Sequence, residues 1–195
     1  MVRPLNELSP RELGALFPIA LSAYDPAWPA QYAAEAALIT EALGAGTVDR
    51  ISHIGSTAVP GILAKPTIDI LLEIPDDADP ERLIRPFAGI GYLHDRHPER
   101  PPPHLMFMKG YTPRGYSGQA FHVHVRHRGD WDEFYFRDYL AGHPDEAGRY
   151  AALKRRLQEQ HEFDREAYTD GKTAYVRAVT ARARADPGSP NGRHR

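Results

Sequence analysis

The chain has no cysteine among its 195 residues. That excludes a disulfide scaffold, a zinc ribbon, an iron–sulfur cluster and a thiol nucleophile, so a metal would have to be held by His, Asp, Glu or carbonyl oxygens. A surplus of either charge is missing too, since 24 Lys and Arg stand against 26 Asp and Glu, a formal charge of −2. Such a balance argues against duplex nucleic acid as a partner, because that affinity rests on excess positive charge. Long apolar runs are also lacking. The best N-terminal one, Leu13 to Leu21, is broken by Gly14 and Pro18, short of the roughly 18 residues that a membrane span needs. It has neither the basic flank nor the small-residue cleavage site of a secretory signal. The expectation is a cytoplasmic protein without a membrane partner.

What remains is ordinary globular composition, 42% hydrophobic and 26% charged, with ten histidines. The length predicts one domain over residues 1–185. Residues 186–195 have nothing to bury and are expected to form a disordered tail.

Ser9-Pro10-Arg11-Glu12 carries a cap, a proline at the first helical position and a Glu three residues after the cap, which starts a short helix. A second helix follows Asp25-Pro26 and runs through the alanine-rich stretch to Leu43, stopped by Gly44 and Gly46, with Glu35 the one polar residue on its apolar face. Val48 to Ile54 reads as a strand ending at Gly55-Ser56. Thr67 to Ile74 is the strongest strand, apolar on both faces except at Asp69 and Glu73, as a buried central strand is. Asp79-Pro80-Glu81 caps a helix to about Phe87. Gly91 to His94, His104 to Lys109 and Gln119 to Arg126 are further strands, with turn-rich segments at Pro98 to Pro103 and Gly110 to Gly118. The last third is helical, over Asp130 to Leu140, Pro144 to about Gln160 and Phe163 to about Arg184. The fold class is therefore α+β, a mixed or antiparallel sheet packed with helices.

Gly110 to Gly115 and Gly171-Lys172-Thr173 are not P-loops, since the first is followed by Tyr116 and the second has Glu166 where a Gly is required. The informative string is His53 to Glu73. A strand ending in Gly55-Ser56-Thr57 presents backbone N–H groups and two hydroxyls at a loop, and a following helical turn would add a positive dipole end, which suits a phosphate. Asp69 then sits in a strand whose neighbours are apolar, where an unpaired carboxylate is costly. It is either bonded to loop amides or functional.

The sequence resembles the GrpB family, also called UPF0157, of the nucleotidyltransferase superfamily. The matching strings are Tyr24-Asp25-Pro26 with Trp28-Pro29, His53-Ile54-Gly55-Ser56-Thr57-Ala58-Val59-Pro60-Gly61, Ala64-Lys65-Pro66 and Ile68-Asp69-Ile70. Later come Gly91-Tyr92, Lys109-Gly110, His122-Val123-His124-Val125, Phe136 to Leu140, His143-Pro144 and Leu153-Lys154, so the resemblance spans roughly residues 24 to 172. It implies a nucleotidyltransferase-like mixed sheet. It further implies a Gly55-Ser56-Thr57 loop gripping the phosphates of an ATP-like nucleotide, with Asp69 holding Mg²⁺ for transfer of a nucleoside monophosphate to an unknown acceptor.

The superfamily pattern wants a second carboxylate two residues on, where this chain has Leu71. Glu73 is no substitute, because residues four apart on a strand are roughly 13 Å apart against roughly 7 Å for a two-residue step. Strand parity offers another set. In Phe121 to Arg126, alternation puts Phe121, Val123 and Val125 on the core face and His122, His124 and Arg126 on the other. Two imidazoles beside Asp69 suit a transition metal better than Mg²⁺, although both histidines would also fit a solvent face. His53 would either join this pocket or bond locally. Lys65 and Lys109, in matched strings, are the expected phosphate cations, with Arg126 and Arg100 as weaker candidates. Arg137 and Asp138 are expected to pair structurally, outside the site.

Two other functions fit the same residues. GrpB-like domains are also found fused to dephospho-CoA kinases, where they are associated with folding of the kinase, which implies a non-catalytic folding, assembly or binding module. A metal-dependent phosphoester hydrolase using Asp69, His122 and His124 is the other.

Overall fold

The computed structural model describes residues 3–96, 99 and 101–186. Eleven α and β elements follow one another in the described residues: α1 (Pro10–Leu16), α2 (Trp28–Leu43), β1 (Arg50–Ile54), β2 (Thr67–Ile74), α3 (Ile84–Gly89), β3 (Leu93–Arg96), β4 (Leu105–Thr112), β5 (Gly115–His127), α4 (Asp132–Gly142), α5 (Pro144–His161) and α6 (Arg165–Ala185). The sheet order is β1-β2-β5-β4-β3. β2 and β5 pair in parallel at the centre, and every other pairing is antiparallel. The fold is α+β with a mixed sheet and a helical C-terminal third.

Local chemistry accounts for the elements. Ser9 accepts from the Glu12 amide while the Glu12 side chain accepts from the Ser9 amide, the reciprocal cap that starts α1. Along β2, Ile68, Ile70, Leu72 and Ile74 point to one face, where they pack with Val123, Val125 and Phe107 beneath Trp28 and Ile39 of α2 and Phe87 of α3. This is the main core, and each such aliphatic contributes about 1.5–3 kcal/mol on burial.

The other face of β2 carries Asp69, Leu71 and Glu73, with His122, His124 and Arg126 of β5 beside them. The C-terminal helices cover this face. Phe134 of α4 closes over Leu71 and Ile54, and α4, α5 and α6 make their own cluster around Tyr150, Leu140 and Val179 with Val59 and Ile62.

Two expectations need correction. The segment 110–118 is not a turn-rich spacer, because β4 and β5 run through it as one hairpin turning at Pro113-Arg114. The alternation there is broken by a bulge at Gly110, which hides the strand pattern from sequence. The helix after Asp79 is a 3₁₀ turn over Pro80–Leu83 followed by the short α3. The expected tail lies outside the described residues beyond Asp186, as does Arg100.

Candidate functional site

Parity on β2 and pairing with β5 assemble the centre of the site. Asp69 is in register with His122, and Leu71 with His124, so the carboxylate sits beside both imidazoles. Asp69 Oδ1 lies 3.4 Å from His122 Nδ1 and 3.7 Å from His124 Nε2. One ligand atom from each of the three residues falls within 4.8 Å of the others, close enough to share one cation.

The surroundings orient these groups. The Tyr111 hydroxyl lies 2.7 Å from His122 Nε2, and its ring stacks on the imidazole with 5.5 Å between centroids. With Nε2 engaged by Tyr111, Nδ1 is the nitrogen that faces Asp69. The bulge at Gly110 makes this contact possible by turning Tyr111 onto the Asp69 face although Lys109, two residues earlier, is on the other. Gly55 closes against the acid. It has φ +71°, and a Cβ there would meet Asp69 Oδ2 at 2.5 Å, so only glycine lets the loop after β1 pack on the carboxylate.

A cavity of about 250 Å³ opens over Asp69 between the sheet and the last two helices. Its walls bring in four cations, Lys65 from the strand approach, Lys154 from α5, and Arg165 and Lys172 from α6. Lys154 donates to the Ser56 hydroxyl at 3.0 Å and also to the Leu63 carbonyl. Burial lowers the Lys65 ammonium to about 7, with the charges of Arg165 and Lys172 adding to the effect and Asp69 opposing it. Burial also lowers Lys154 to about 7, with Lys172 contributing, and lowers Lys172 to about 8 against the pull of Asp69. Burial works against ionised Asp69, but its bonding to His122 and then His124 outweighs this and leaves its carboxyl far below the usual range. Burial holds His122 below the ordinary imidazole value despite Asp69. One carboxylate facing four cations leaves the cavity with excess positive charge.

Of the expected site residues, Gly55, Ser56, Lys65, Asp69, His122 and His124 are brought together. Thr57 is not with them: it is buried, and its hydroxyl bonds His53 Nε2 at 3.0 Å and donates to the Thr67 carbonyl at 3.3 Å. The turn after Gly55 is a three-residue 3₁₀ turn, too short for a helix dipole to matter. Lys109 is corrected as well. It pairs with Phe121 in the hairpin register, on the α2 side of the sheet, and donates to Glu35 at 2.7 Å. His53 stacks on Tyr32 of α2 at 4.8 Å, and burial lowers its pKa to about 4. Arg126 is buried 3.7 Å from Glu133 and donates to the Val125 carbonyl. Arg137 and Asp138 pair at 2.6 Å, and Arg137 also donates to the His53 carbonyl.

Lys154, Arg165 and Lys172, with Tyr150 and Tyr168, were not anticipated. A signal existed for two of them: Lys154 lies four residues after Tyr150 and three before Leu157, and Lys172 lies four after Tyr168, each on the buried stripe of its helix.

A model of the family described as GrpB protein matches residues 18–182. The chain belongs to the GrpB family. A UPF0157 protein of Pseudomonas aeruginosa is 47% identical over 163 residues, covering 83% of this chain and 66% of its own length, just under two thirds. A UPF0157 protein of Halalkalibacterium halodurans is 35% identical over 92% of both chains. The crystal structure of conserved protein GrpB from Enterococcus faecalis superposes with a TM-score of 0.73 at 27% identity, covering 84% of this chain and 96% of that one. A dephospho-CoA kinase of Mycolicibacterium paratuberculosis is 28% identical over 91% of this chain but only 49% of its own length. The mixed sheet and the Gly-Ser loop are consistent with the nucleotidyltransferase superfamily.

Proposed function

We propose that this GrpB-family chain binds a nucleoside triphosphate together with a divalent metal and transfers the nucleoside monophosphate to an acceptor. The observation that carries this reading is a single cavity holding both the Asp69, His122 and His124 donor set and four cations. The donor set fits a metal, since three ligand atoms converge at the floor of the cavity and Gly55 leaves room for the carboxylate. Two nitrogens and one oxygen favour Mn²⁺ or Zn²⁺ over Mg²⁺. A bound metal would polarise a phosphoryl oxygen and offset its charge.

The chain's own residues then do the following. Lys65, Lys154, Lys172 and Arg165 neutralise the phosphates from positions already set by the fold, and because burial holds the three ammonium groups at about 7 to 8, an arriving phosphate draws protons onto them. Ser56, held by Lys154, fixes the loop edge of the cavity. Tyr111 holds His122 with Nδ1 toward Asp69. Leu71 is fully buried under Phe134, so no second carboxylate is available two residues from Asp69, and the reading is restricted to one metal.

Thermal unfolding with Mn²⁺, Zn²⁺ or Mg²⁺ and each of the four common nucleoside triphosphates tests it. A raised Tm with at least one combination is expected, and Asp69→Asn should abolish the increase. Absence of a shift with every combination would overturn it. The two imidazoles favour a second reading, metal-dependent phosphoester hydrolysis. It predicts turnover of the ester with water alone, whereas transfer requires an added acceptor.

A further inference from the structure

We infer that the apolar groove beside this cavity takes the nucleobase and ribose of the nucleoside triphosphate, an inference that rests on the reading of the cavity as the phosphate site. The sheet lays the two sites end to end. One cross-strand row on the site face runs Ile54, Asp69, His122, Met108, Leu93, each in register with the next. Neighbouring strands are about 4.8 Å apart, so the floor beneath Met108 and Leu93 lies about 10 Å from that beneath Asp69 and His122. That is the reach of a ribose and its attached ring from a phosphate.

The chemistry changes along this row from ionic to apolar. A groove of about 670 Å³ lies over Met108 and Leu93, walled by Leu13, Phe17 and Tyr111, a volume and lining typical of small-molecule sites. Arg165 lines both the groove and the cation cavity, and Tyr111 of the groove wall bonds His122 of the cavity, so the two are adjoining. Phe17 packs edge-on against Tyr111 at 5.0 Å, making an aromatic wall for a flat ring opposite the Met108 thioether. Asn6 and Asp95 at the rim supply polar atoms that a base edge can meet. Apolar packing and ring contacts take every base to some degree, with the rim selecting among them.

Leu93 is the residue for the test, because it sits on the edge strand and is 43% exposed, so replacing it leaves the core intact. Titration calorimetry with Mn²⁺ present would compare inorganic tripolyphosphate with ATP, GTP, CTP and UTP, for the natural chain and for Leu93→Gln. At least one nucleotide is expected to bind tenfold or more tighter than tripolyphosphate, and Leu93→Gln should shrink that margin several-fold while leaving tripolyphosphate unchanged. Nucleotides binding no tighter than tripolyphosphate, or a margin that Leu93→Gln does not alter, would overturn the groove assignment and leave the phosphate site standing. Failure of tripolyphosphate to bind at all would instead remove the phosphate reading, and this inference with it.

Discussion

Asp69 and Glu73 are two acids on the same face of the same strand, yet their surroundings have little in common. At the Glu73 end the carboxylate is completely buried, bonded by Arg50 and by the Gly129 amide at 3.0 Å. Every oxygen there has a donor within the fold. At the Asp69 end the partners are two imidazoles at 3.4 and 3.7 Å, longer than ordinary hydrogen bonds, and the carboxylate faces a cavity. Between them Leu71 and Phe134 seal one end from the other. The difference separates an acid whose bonds are already made from one whose bonds await a ligand.

The largest effect should come from removing the satisfied acid. Glu73→Ala leaves Arg50 and the Gly129 amide without their acceptor and is expected to cost about 2–4 kcal/mol in urea unfolding. Asp69→Asn should cost less than that, since the amide keeps an acceptor oxygen toward the imidazoles and water in the cavity can take the remaining bonds. Equal losses at the two positions would erase the distinction.

Next is Gly55→Ala. Its Cβ would collide with Asp69 Oδ2 at a φ that L side chains rarely adopt, which predicts about 1–3 kcal/mol of destabilisation and weaker Mn²⁺ binding together. A loss of stability with unchanged metal affinity would show that the loop does not position the acid.

Smaller still is Tyr111→Phe, which removes the hydroxyl from His122 Nε2 while keeping the ring stack. Orienting partners of metal-binding histidines are worth about tenfold or more in affinity. Calorimetric titration with Mn²⁺ should show a loss of about that size, with little change in Tm.

The pH dependence is the mildest test. Lys65 and Lys154 are lowered to about 7, and Lys172 to about 8, from 10.5. Between pH 7 and 10 the unfolded chain therefore holds more protons on these groups than the folded one, so they make stability rise as pH rises. Tripolyphosphate should flatten that rise, and so should Lys154→Met. A slope unaffected by either would mean that the cations are not clustered in solution as they are here.

Much of this was readable in advance where the information is local. The span of β2, the cap of α1 and the start of α5 at Pro144 depend on neighbouring residues alone. Strand parity alone put His122 and His124 on one face, opposite Val123. The same parity, extended down β4, would have placed Lys109 with Phe107 on the α2 side, where Glu35 meets it. The cations of α5 and α6 could not be placed that way. Their lysines interrupt apolar stripes, which marks them as unusual, but only the packing of the helices over the sheet says that they meet Asp69.

The central parallel pairing has a consequence for how the molecule comes to exist. β2 and β5 are joined through β3, β4 and α3, so Asp69 meets His122 only after that long stretch of chain has closed. The lysines of α5 and α6 arrive from still later in the sequence. No fragment ending before α6 contains the whole site, and ligand capture would therefore report that the chain has been made and packed at least as far as Lys172.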